Sequence, residues 1–163
     1  MMAKETMLTY LDQLIDQKIT DYDVALDFDS RNHTIEIVVR LFAENKQHLA
    51  LDDVEGNQSA EEMIEYEDGI LLYNAQKSQF EEEYYLKTLP FTSKKGMQKA
   101  ELAALVDYLQ EILDQGQADL LDFLAEDSTQ EVFALRFDEE IYAKKLAAYQ
   151  EKLGQDYVSY PSY

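Results

Sequence analysis

Residues 22–44, YDVALDFDSRNHTIEIVVRLFAE, decide the fold. Tyr22, Val24, Leu26 and Phe28 alternate with Asp23, Ala25, Asp27 and Asp29, the period-two pattern of a strand with one buried and one solvated face. Ile35, Ile37, Val39 and Leu41 repeat it. Between the runs, Asp29, Ser30, Arg31 and Asn32 bond their own backbone or tolerate a left-handed conformation, so a tight hairpin turn is expected. If Phe28 faces Ile35, then Leu26 faces Ile37, Val24 faces Val39 and Tyr22 faces Leu41; a two-residue shift would keep the same face apolar. A one-residue slip would turn the apolar face to water, which constrains the register.

Upstream, Met7, Leu8, Leu11, Leu14 and Ile15 follow helical spacing and predict a helix over Thr6–Lys18. Downstream, 45–60 is weakly patterned, with Asp52, Asp53, Glu55 and Gly56 in an acidic loop, and His48–Leu51 continuing or pairing with the sheet. Asp68-Gly69 between apolar runs predicts a second hairpin in which Tyr66 faces Leu71. A further strand is expected within Phe80–Phe91, stopping at Pro90.

Ser93 or Thr92 is expected to cap a helix of about Met97–Gln115, ended by Gly116 in a left-handed conformation. Leu102, Leu105, Val106, Leu109, Ile112 and Leu113 form its apolar stripe, and Asp107, Glu111 and Asp114 lie on the opposite side. A short helix over Asp119–Glu126 and a strand over Glu131–Phe137 follow. A last helix opens at Asp138 and runs to Leu153 before Gly154, leaving 154–163 as a loose tail. The expected architecture is one α+β domain over residues 1–163, an antiparallel sheet of hairpins with about five to six strands packed against a long amphipathic helix, flanked by N-terminal and C-terminal helices.

Composition narrows function by exclusion. The 163 residues include no cysteine, so disulfides, thiolate metal sites and a cysteine nucleophile are absent. No export signal is visible at the start, and no run approaches the ~20 apolar residues of a membrane span. A cytoplasmic protein is expected, in which the Asn32 and Asn57 glycosylation triplets are chance matches. With 46% hydrophobic residues, including 12 Tyr and 7 Phe, the chain has the core material that disordered chains lack.

The net charge of -20 disfavours nucleic acid and anionic lipid and favours basic partners or cations. Asp21–Asp68 carries 14 acidic and 3 basic residues, Ala100–Glu131 carries 9 acidic and none basic, and Leu86–Lys99 carries four lysines and no acid. Such a dipolar distribution can steer and orient a protein partner. The partner-binding candidates are Asp107, Glu111 and Asp114 on the acidic helix face, together with Lys94, Lys95 and Lys99 near the helix start.

Catalytic motifs are missing. His33 and His48 lack any paired or HExxH spacing, and no phosphate-binding glycine loop occurs. A calcium loop centred on Gly56 as its sixth position puts Leu51 where an acidic ligand is required. The hairpin's outer face is a better metal candidate: Asp23, Asp27 and Asp29 line one strand, and Glu36 falls opposite Asp27, a like-charge pair that invites a cation or a basic partner.

The segments KETMLTYLDQLI, YDVALDFDSRNHTIEIVVRLFAEN, EDGILLYN and KKGMQKAELAALVDYLQEILDQGQADLLDFL together resemble a family of small uncharacterised proteins of streptococci, enterococci and related lactic acid bacteria, classed as a domain of unknown function. The resemblance spans about Lys4–Tyr149. It implies a cytoplasmic bacterial protein and carries over no catalytic residue or ligand. The element order is also similar to that of secretion-chaperone-like folds, whose members bind proteins. The expected function is therefore a non-enzymatic, chaperone-like or regulatory module that engages a basic protein partner without a cofactor. The alternative is a carboxylate-based metal-binding module or metal-dependent enzyme. A homodimer through tyrosines of Phe80–Phe91 or of the tail is compatible with both.

Overall fold

The computed structural model describes residues 5–44, 51–52, 58–59, 63–125 and 132–161, with main chain alone at 51–52 and 58–59. In chain order the elements are α1 (Met7–Lys18), β1 (Asp23–Asp29), β2 (Thr34–Glu44), β3 (Leu51–Asp52), β4 (Gln58–Ser59), β5 (Met63–Asn74), β6 (Lys87–Phe91), β7 (Met97–Gln98), α2 (Lys99–Phe123), α3 (Glu139–Leu153) and β8 (Tyr157–Val158). A four-stranded mixed sheet of order β1-β2-β5-β6 packs on the helices, and β3 pairs β4 while β7 pairs β8. The fold class is α+β.

Local chemistry sets the ends of several elements. Thr6 caps α1: its hydroxyl accepts from the Thr9 amide, and the Thr9 hydroxyl accepts from the Thr6 amide. Between β1 and β2, the Asp29 carboxylate accepts from the Arg31 and Asn32 amides, and His33 takes the left-handed φ of 58°. Phe28 pairs with Ile35, Leu26 with Ile37 and Val24 with Val39. Tyr22 lies outside this ladder, and its hydroxyl donates to Asp114 of α2 at 2.6 Å. Asp138 caps α3 by accepting from the Glu140 and Ile141 amides, and Gly154, at φ 62°, ends it.

The expected hairpin at Asp68-Gly69 does not form. β5 runs unbroken through both residues, Val39 pairing with Asp68, Val38 with Gly69 and Leu41 with Tyr66. The length of β2 decides this. Its 11 residues from Thr34 to Glu44 all pair with β5, whereas a turn at Asp68-Gly69 would have left half of that edge without main-chain partners. The Glu36 side chain lies over Gly69, occupying the space where a Cβ would stand.

The sheet is not purely antiparallel either. Residues 75–86 cross over the outer face, and β6 returns parallel to β5, so Tyr73 pairs with Pro90. Pro90 does not stop the strand, because β6 is an edge where a missing N–H is tolerated. Phe80 of the crossover packs on Tyr73 with ring centroids 4.4 Å apart, and Leu71, although on the outer face, is buried.

α2 is longer than its glycine suggested. It passes through Gly116 and absorbs the expected short helix up to Phe123; its cap is Gln98, whose amide donates to the Glu101 carboxylate, in place of Ser93 or Thr92. A Cβ on Gly116 would overlap Leu135 Cδ2 and lie 3.2 Å from Leu41 Cδ1, so this glycine permits close approach. Leu102, Leu105, Leu109 and Leu113 are fully buried, each contributing ~2 kcal/mol of apolar burial against the sheet's Ile35, Ile37, Leu41, Ile70 and Leu72. On its other flanks α2 meets α1 and α3.

Residues 132–138 form no ladder, contrary to the expected strand. Their alternation is nevertheless used: Phe133 packs on Tyr66 and Phe123, Leu135 on Gly116, and Phe137 on Tyr108 and Tyr142. The weakly patterned 45–50 and most of the acidic loop lie outside the described residues.

The C-terminal residues are a strap where a loose tail was expected. Met97 pairs with Val158 and Gln98 with Tyr157; the Met7 amide donates to Ser159 O and the Lys99 amide to Asp156 O, both at 2.8 Å. Tyr160 stacks on Phe91 and donates to the carbonyls of Asp29 and Thr34. Gly96, at φ 78°, makes this approach possible, because a Cβ there would overlap Val158 O and lie 2.7 Å from Ser159 Cα. Gly96→Ala therefore suffers both the left-handed penalty and a backbone collision. It should cost at least about 2 kcal/mol in urea unfolding and expose 156–161 to proteolysis. A wild-type midpoint would show that the strap does not press on Gly96.

Candidate functional site

Register places the carboxylates of the sheet's outer face. Across β1, β2 and β5 the rows read Asp23-Arg40-Glu67, Ala25-Val38-Gly69 and Asp27-Glu36-Leu71, with Phe42 opposite Glu65 and Glu44 opposite Met63. Seven carboxylates, Asp23, Asp27, Asp29, Glu36, Glu44, Glu65 and Glu67, thus share this face with one described cation, Arg40. Arg40 already lies within 3.4 Å of Asp23, 3.3 Å of Glu65 and 2.9 Å of Glu67. Phe42 and Met63 add apolar surface, 43% and 51% exposed. Sequence reasoning missed Glu65, Glu67 and Met63, because breaking β5 at Asp68 removed them from this face, and the unbroken alternation from Met63 to Tyr73 was the signal; Phe42, on β2, was passed over although the alternation of β2 places it on the outer face.

The four metal candidates do not converge. Asp23 is engaged by Arg40, and Asp29 is the cap of its own turn. Asp27 and Glu36 do stand opposite one another. Among the described residues no group of three or more His, Asp or Glu could hold a metal ion.

The helix candidates are internal pairs, where an open acidic face was expected. Lys145 of α3 reaches Asp107 at 3.2 Å and Glu111 at 3.0 Å, and the Tyr149 hydroxyl donates to Asp107 at 2.7 Å. Burial opposes ionisation of Asp107, but the Tyr149 hydrogen bond and Lys145 outweigh it and hold its carboxyl below the ordinary value. Burial and the Asp107 hydrogen bond push Tyr149 up to about 12. Matching i, i+4 pairs, Asp107/Glu111 and Lys145/Tyr149, were the sequence signal for this seam. Of the lysines, Lys99 pairs with Glu5 at 2.6 Å, Lys95 lies over the Tyr157 ring, and Lys94 is exposed. Of the tyrosines considered for a dimer, Tyr84 is exposed while Tyr85 packs on Phe80.

Carboxyls whose pKa lies above the ordinary value do not form one acid–base site. Burial raises Asp68 and Glu101, the latter at the start of α2. Burial, then Asp27, Glu67 and Asp68, raises Glu36. Glu36 and Asp68 point to opposite faces of the sheet.

A separate groove of about 800 Å³ runs between α2 and residues 132–136. Tyr108, Ile112, Gly116 and Leu135 line it, with Glu111, Asp119, Asp138 and Arg136 as its charged groups. Val132 and Ile141 at the groove are 78% and 40% exposed.

The like-charge row gives a pH prediction. With its folded pKa raised, Glu36 contributes most to stability below the ordinary glutamate range and loses that contribution as pH rises through the folded value. Glu36→Gln should therefore be more stable than wild type at pH 7, by a few tenths to about 1 kcal/mol, with the difference vanishing near pH 4. Urea unfolding across this range checks it; a variant less stable at pH 7 would reveal a favourable partner for the carboxylate.

No curated protein matches the chain. Among solved structures, it is similar to a crystal structure described as a conserved protein of unknown function from Enterococcus faecalis, at 46% identity over 99% of each chain and a TM-score of 0.90. Residues 2–162 match the family described as "Protein of unknown function (DUF3013)". With that match and a relative of the same fold, this chain belongs to the DUF3013 family.

Proposed function

We propose that this is a non-enzymatic, cytoplasmic binding protein, chaperone-like or regulatory, whose anionic outer sheet face holds a protein partner with a basic surface. The observation that carries this reading is the imbalance of that face: seven carboxylates against Arg40, which is itself held by three of them. Asp27 and Glu36, directly opposed, repel one another until a cation or a lysine or arginine side chain comes between them. Phe42 and Met63 give such a partner apolar anchors beside the charge. The dispersed raised-pKa carboxyls argue against acid–base catalysis as the role of this face.

Affinity capture from a lysate of cells that make the protein tests this, with wild type beside Asp27→Lys/Glu65→Lys. Both positions are exposed. Wild type should retain a specific basic protein at low salt and release it at about 1 M salt, where the screening length falls to ~3 Å. The double variant should retain none of it. Equal capture by the variant, or retention indifferent to salt, would move the function away from this face.

A further inference from the structure

Residues 132–137 have the sequence of a strand and the burial of a strand, yet lack a ladder. Phe133, Leu135 and Phe137 turn inward onto aromatic rings and Gly116, while Val132, Ala134 and Arg136 are exposed. Period-two burial marks this run as extended. An extended chain presents its main-chain polar groups alternately to its two edges. Ala134 and Arg136 share one of these edges, and their main-chain groups have no main-chain partner among the described residues.

We propose that residues 132–137 are an open strand that takes an extended, lysine- or arginine-bearing segment of a partner protein as its ladder neighbour. Three features specify the occupant. The groove of about 800 Å³ alongside is within the ~300–1,000 Å³ typical of ligand clefts. Its apolar wall, Ile112 and Leu135 with the exposed Val132 and Ile141, suits alternate apolar side chains, as in recognition by strand addition. Of its charged groups, Glu111 is already held by Lys145 and Asp138 caps α3, which leaves the negative charges of Asp119 and Asp138 against Arg136 in a chain of net charge -20, a balance that favours basic over acidic segments. This site shares no residue with the anionic sheet face, so each stands or falls alone.

The test uses the full chain and a capped peptide of about eight residues alternating lysine with valine, long enough at ~3.3 Å per residue to span the run. Binding is measured by calorimetry, and amide exchange is followed by NMR. The peptide should bind and slow exchange of the Ala134 and Arg136 amides. Ala134→Pro removes one of these donors from an exposed position, and N-methylating alternate peptide amides on the pairing edge removes the partner donors. Each change should weaken binding at least about tenfold, the equivalent of one to two hydrogen bonds. A glutamate-valine peptide should not bind measurably. The methylated peptide tests the main-chain claim even if Ala134→Pro alters the fold. Equal affinity of plain and methylated peptides, or slowed exchange confined to β1, β2 and β5, would overturn the proposal. So would Ala134 and Arg136 amides already protected in the free protein, because the chain itself would then fill the edge.

Discussion

Leu41 of β2 and Leu135 of the extended run meet across α2 at Gly116, and the rest of the architecture depends on the missing Cβ there. Because the helix has no side chain at that turn, Leu135 closes against it with only 7% of its surface exposed. This contact helps hold 132–138 on α2, which sets the Asp138 amide on the Tyr108 hydroxyl at 2.9 Å and leaves the Asp138 carboxylate to cap α3. α3, so positioned, brings Lys145 and Tyr149 onto Asp107. A strand, a glycine and a leucine thus determine whether the acidic stripe of α2 is solvated or neutralised.

That neutralisation divides the protein's negative charge into two kinds. In the α2–α3 seam, Lys145 is 20% exposed and Asp107 36%, so the pair works in a partly screened setting and Asp107 responds with a lowered pKa. On the sheet, Arg40 is 37% exposed and its carboxylate partners 49–55%, where ion pairs contribute ~0–1 kcal/mol and serve mainly to fix geometry. The seam charges are committed to folding. The sheet carboxylates outnumber the one described cation among them, Arg40, and it is on this asymmetry that the proposed binding role rests.

How much of this was legible in the sequence follows from the range of each determinant. The β1–β2 register was narrowed by alternation to a few even shifts because the pattern lies within one stretch, and the four-residue-loop register, with Asp27 opposite Glu36, is the one that forms, although Tyr22 does not join the ladder. α3 was readable because an aspartate cap and a terminal glycine act locally. Gly116 was not, since its role depends on Leu135, which follows 19 residues later. Asp68-Gly69 carried a genuine turn signal, but the 11-residue partner strand overrode it. The strap at 156–160 was hidden for the same kind of reason: Val158 is buried only because Met97 and Gly96 receive it. The acidic helix face was identified as a polar surface, yet periodicity does not reveal which cations another helix will bring to it.

The sheet edges bear on function as well as on folding. An open edge invites pairing with other chains, and two of this protein's edges carry the usual defences. β1 sets Asp23, Asp27 and Asp29 at alternate positions along its length, and β6 contains Pro90. The run at 132–137 has no proline and no carboxylate, and its exposed positions are valine, alanine and one arginine. Its inner side chains are fixed by aromatic packing, so little further ordering would be needed to extend it by one strand. Two sheet edges are thus guarded, whereas the run at 132–137, which belongs to no sheet, is anchored by its inner side chains and carries no such guard, in keeping with the docking role proposed for it.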